Sequence, residues 1–74
     1  MRREGTKINV FYLAYYNDGR MDERVYTMEF ARKLTRRECD FEYKSSKNAI
    51  MGIIDDPNII DVELLSAEYY GLKR

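Results

Sequence analysis

Residues 7–16 read KINVFYLAYY and run straight into Asn17-Asp18-Gly19. Ten residues rich in β-branched and aromatic side chains, apolar at both alternating sets of positions, describe the central strand of a small sheet. The Asp-Gly that follows is a hairpin signal. A chain with so apolar a central strand must cover both of its faces or leave one of them for something else.

Seventy-four residues allow one domain, near the lower size at which a core folds unaided. Such a core supplies roughly 3–5 kcal/mol. Apolar residues make up 45% of the chain and there is one proline, so it can fold and is not a disordered tail. Cys39 is the only cysteine, which excludes an internal disulfide and fits a reducing, cytoplasmic setting. Its expected place is in the core as a small hydrophobe. No apolar run approaches the roughly 18 residues of a membrane span, and residues 1–5 lead into a strand without forming a signal-peptide core. A soluble chain with no membrane partner is expected.

Basic and acidic residues balance at thirteen each, but residues 1–37 hold nine Lys/Arg to five Asp/Glu and residues 38–74 hold four to eight. Such polarity can orient a partner.

A second strand is expected within residues 20–31, because Tyr26, Met28 and Phe30 share one face at period two, whereas on a helix the apolar residues scatter. Thr35 and Glu38 then stand in the relation of a capping box, with Leu34 and Cys39 as its hydrophobic staple, so a helix starts at Arg36. Its apolar stripe is Cys39, Tyr43, Ser46, Ile50, Ile53 and Ile54, ended by Pro57. Ser45-Ser46 and Gly52 weaken its continuity, and a break near Ser45 is the alternative. Residues 59–65 alternate again and form a third strand, extending towards Tyr69.

The order β-β-α-β defines a small α+β domain. The hairpin places the second strand beside the first and the helical crossover returns the third to the first strand's other edge, giving an antiparallel sheet of order 2-1-3 with the helix on one face.

Treating Asp18-Gly19 as a two-residue loop opposes Tyr12 to Val25 and Phe11 to Tyr26. Phe11, Leu13 and Tyr15 then join Tyr26, Met28 and Phe30 under the helix, together with Ile60, Val62 and Leu64 of the third strand. Ile8, Val10, Tyr12, Ala14 and Tyr16 join Met21 and Val25 on the open face, rimmed by Glu23, Glu29, Asp61 and Glu63. A loop of odd length exchanges the two sets.

An exposed stripe of this kind, of about several hundred Å², is a docking surface unless residues 66–72 fold back over it. The expected partner-binding residues are Ile8, Val10, Tyr12, Tyr16 and Val25, and the expected partner is a protein, basic to suit the carboxylates, or a second copy of the chain.

The alternative site is Arg32, Lys33, Arg36 and Arg37 around the helix start. Free backbone N–H groups beside arginines suit a phosphate or a nucleic-acid backbone, with Arg2, Arg3 and Lys7 extending the surface. No nucleic-acid recognition signature accompanies them.

Enzyme chemistry is not expected: the chain has no histidine, no nucleophile in an elbow and no glycine-rich phosphate loop. Neither Asp55-Asp56 nor Asp18, Asp22 and Glu23 has the spacing of a metal loop, so no metal or cofactor is expected. In size and in its lack of catalytic groups the chain is similar to the small inhibitors and adaptors that phages and mobile elements encode, anti-CRISPR proteins among them.

Overall fold

The computed structural model describes residues 5–74. Strand β1 (Lys7–Tyr16) turns into β2 (Met21–Glu29), helix α1 (Arg36–Ile53) crosses over, and β3 (Ile59–Tyr70) returns antiparallel on the far side of β1. The sheet order β2-β1-β3 is the one expected.

The hairpin sets everything that follows. Tyr16 N–H donates to the Arg20 carbonyl at 2.9 Å and Gly19 N–H to the Tyr16 carbonyl at 3.1 Å, so the loop is the three residues Asn17, Asp18 and Gly19. Gly19 takes a φ of 90°, which a residue without Cβ adopts at no steric cost. Asp18 locks the turn by accepting from the Arg20 backbone N–H at 3.0 Å and from Arg20 Nε at 2.9 Å. Those bonds hold its carboxyl below the usual aspartate range, the backbone bond contributing most.

The odd loop shifts the pairing by one residue, so that Ile8 faces Met28, Val10 faces Tyr26 and Phe11 faces Val25. Tyr26 and Met28 lie on the helix side as expected, but their β1 neighbours there are Ile8, Val10, Tyr12, Ala14 and Tyr16, all buried, and not Phe11, Leu13 and Tyr15.

Thr35 and Glu38 make the capping box: Thr35 Oγ1 accepts the Glu38 N–H at 3.2 Å and Glu38 Oε1 accepts the Thr35 N–H at 2.9 Å. Leu34 and Cys39 flank it, both buried. The helix runs unbroken through Ser45-Ser46, because the buried Ser46 hydroxyl donates back to the Tyr43 carbonyl at 2.6 Å and leaves no unpaired group. Ile50 completes its buried stripe, whereas Ile53 is exposed, having rotated past the sheet in the last turn.

β3 carries two irregularities against β1, between Phe11 and Tyr12 and between Tyr15 and Tyr16. Each adds a residue to β3, Leu65 in the first and Ile60 in the second. Each bulge resets the alternation, so Ile59, Val62, Leu64, Ala67 and Tyr69 all reach the helix side despite their mixed parity. Ile60, expected under the helix, is instead exposed as an extra residue.

The helix packs on β1 and β3 and barely on β2. The result is a thin plate, 44 × 25 × 16 Å. Its radius of gyration of 13.8 Å exceeds the roughly 11 Å of a compact chain this long, as a sheet covered on one face requires. Among the described residues, no helix is long and apolar enough to cross a membrane.

Candidate functional site

The uncovered face follows from the register. Reading across β2, β1 and β3, its rows are Thr27–Asn9–Glu68, Val25–Phe11–Ser66, Glu23–Leu13–Glu63 and Met21–Tyr15–Asp61, with Lys7 beside Tyr70 at the far end. Phe11, Leu13 and Tyr15 form an apolar line down the middle strand, each half-buried by its neighbours within the sheet. Val25 and Met21 lie beside them and are exposed.

Carboxylates border this line. Glu23 and Glu63 flank Leu13 on opposite sides. Glu63 accepts the Tyr15 hydroxyl and Glu68 that of Tyr70, at 2.6 Å in the second case. Both phenols are held above their ordinary pKa chiefly by those bonds, so they stay neutral donors. Asp61, at the rim, pairs with Lys47 at 3.5 Å. Among the described residues, no cation lies within ion-pair range of Glu23, Glu63 or Glu68. The C-terminal segment does not roof the face: residues 66–70 belong to β3, Leu72 packs against the core, and Lys73 N–H reaches the Leu34 carbonyl at 2.8 Å.

The expected docking residues are therefore divided. Ile8 and Val10 are 0% exposed, Tyr12 5% and Tyr16 9%, all on the helix side. Their expected place on the open face is corrected by the three-residue loop. Tyr16 keeps its hydroxyl satisfied by Arg24 at 2.9 Å. Val25, at 54% exposure, does stand on the open face. Phe11, Leu13 and Tyr15 hold the positions assigned to the others.

At the other candidate site Arg32, Lys33, Arg36 and Arg37 do gather at the helix start, but two of them, Arg32 and Arg36, already face carboxylates. Arg32 lies 3.5 Å from Glu38, and Arg36 lies 3.9 Å from Asp40 and stacks 5.5 Å over the Tyr69 ring. Glu38 already fills the helix terminus as its anionic cap, and its carboxyl is lowered, first by the Thr35 backbone N–H and then by Arg32. Arg2 and Arg3 lie outside the described residues.

Beside Arg36, a shallow cleft of about 300 Å³ is lined by Tyr43, Ser66, Ala67, Tyr69 and Leu72. Tyr69 donates to Asp40 at 2.7 Å, and burial together with that bond pushes its phenol up to about 12. Cys39 is buried and its thiol is pushed up by desolvation, which leaves it a packing residue. Among the described residues, no three His, Cys, Asp or Glu side chains converge as a metal site would need.

Comparison with protein-family models, with curated proteins and with solved structures finds no match to this chain.

Proposed function

We propose that the chain is a non-enzymatic interaction module, of inhibitor or adaptor type, that docks a basic protein partner on the open sheet face. The observation that carries this reading is the apolar line Phe11, Leu13 and Tyr15, with Leu13 at its centre flanked by Glu23 and Glu63, carboxylates that have no cation in ion-pair range among the described residues. A lysine or arginine stem lying along Leu13 would bury apolar area while its head meets either carboxylate. Nucleic acid is disfavoured there, since its phosphates would meet the same carboxylates. Face-to-face stacking of two copies would oppose acidic borders to acidic borders.

A panel of peptides alternating Lys or Arg with apolar residues, titrated against the chain beside analogues carrying Glu for the basic residues, tests this. Basic peptides are expected to bind and the acidic analogues not to. Leu13→Lys should lower affinity about 30-fold, because it removes the central apolar contact and occupies both carboxylates itself. Equal binding of the acidic analogues, or unchanged affinity of Leu13→Lys, would reject the reading.

A further inference from the structure

The two sheet edges are built differently. β3 is broken by two bulges, the usual protection of an edge against pairing. β2 has no bulge: it is nine residues long, in unbroken register with β1, without proline or lysine, its charges Asp22, Glu23, Arg24 and Glu29 are of mixed sign, and the helix stands away from it.

Its free hydrogen-bonding groups can be assigned. Tyr16 N–H bonds Arg20 and Phe30 N–H bonds Thr6, so the even-numbered residues of this strand turn their backbone groups towards β1. The odd-numbered ones, Glu23, Val25 and Thr27 at the centre, point theirs outward. Among the described residues nothing bonds them there.

From this edge we infer that β2 pairs antiparallel with β2 of a second copy about a two-fold axis at Val25. A two-fold needs the same residue opposite itself, and its position decides which charges meet. Centring on Glu23 or Arg24 sets like charges face to face, and centring on Tyr26 opposes Glu23 to Glu29. Centring on Val25 opposes Val25 to itself, Arg24 to Tyr26, Glu23 to Thr27 and Asp22 to Met28, with no like-charged pair. Arg24 is already neutralised by Asp22 at 3.1 Å. Among these registers, only the Val25 axis pairs the full strand, and it makes Val25 a hydrogen-bonded pair as the outward amides require. The product is a six-stranded sheet of order 3-1-2-2-1-3 with both helices on one side and both open faces joined at Val25. This inference stands whether or not the open face takes a basic partner.

Sedimentation equilibrium of the full chain, together with mild oxidation of Val25→Cys, tests it. Opposed Cα atoms in a hydrogen-bonded pair lie about 5.5 Å apart, within disulfide reach. Cys39 is 0% exposed and stays out of the reaction. The expected result is a monomer–dimer equilibrium, with Val25→Cys trapped as a covalent dimer and Phe11→Cys, one strand inward on the same face, left without a crosslink. Thr27→Lys should tighten the dimer and Thr27→Glu loosen it, each about tenfold, since Glu23 of the second copy lies opposite. Both variants lose the same Thr27–Asn9 hydrogen bond, so their difference reads the charge alone. A monomer at every concentration, a dimer that Val25→Cys does not trap, or equal dissociation constants for the two Thr27 variants would overturn the assignment.

Discussion

Thr6→Val is expected to leave the chain largely unfolded at room temperature, although the two side chains have nearly the same shape. Thr6 is 1% exposed and lies where all three strands and the helix connection meet. Its hydroxyl accepts the Leu34 N–H at 2.7 Å and donates to the Gly71 carbonyl at 2.8 Å. Its backbone meanwhile bonds Arg32 and Phe30. Valine keeps the backbone bonds and strips two main-chain groups of their partner, one of them fully buried. Each such loss costs about 1–3 kcal/mol. The whole fold has roughly 3–5 kcal/mol to lose. Thr6→Ser retains the hydroxyl and should lose about 1 kcal/mol, the contribution of a buried methyl. Urea unfolding followed by circular dichroism separates the two, and equal midpoints would show that the junction does not depend on the hydroxyl. The chain has no slack here: a Cβ on the neighbouring Gly5 would lie 1.6 Å from the Phe30 carbonyl oxygen.

Ile8→Ala carries a comparable expected loss, about 2–5 kcal/mol, because Ile8 is fully buried and its removal opens a cavity between sheet and helix. Leu13→Ala, five residues along the same strand, should lose less than about 1 kcal/mol, since Leu13 packs only against neighbours within the sheet. The contrast is sharp because both residues are branched aliphatics on β1 and differ in which face they occupy. Guanidinium midpoints of the two variants would measure it. A larger loss for Leu13→Ala would place the helix on the opposite face.

The topology was legible because each element carries a signal of its own. The alternation of residues 25–30, the capping box of Thr35 and Glu38 and the apolar run of β1 are each set by residues close in sequence. Which β1 face meets the helix was not legible in the same way, since it turns on a single residue of loop length. Asp18-Gly19 read as a two-residue turn and Asn17-Asp18-Gly19 read as a three-residue one differ by one position, and that shift turns every β1 side chain over. Glycine in third place, ready for a positive φ, is the local sign that favours the longer loop. The bulges at Ile60 and Leu65 had no such sign, because they arise from fitting a twelve-residue β3 against a ten-residue β1. The role of Thr6 is silent in the sequence for a related reason: its partners at Leu34 and Gly71 are 28 and 65 residues away, and no local pattern marks it. On β2 the alternation alone puts Met21, Glu23, Val25 and Glu29 on one face, as the structure has them. The loop length changes only which β1 residues they accompany.

Paramagnetic relaxation by an inert soluble gadolinium chelate, read at each β1 side chain by NMR, tests the face assignment most directly. Strong broadening of Phe11, Leu13 and Tyr15 with protection of Ile8, Val10 and Tyr12 is the expected result. Protection of the first three and broadening of the second would contradict it and remove the docking surface from the face to which it is assigned.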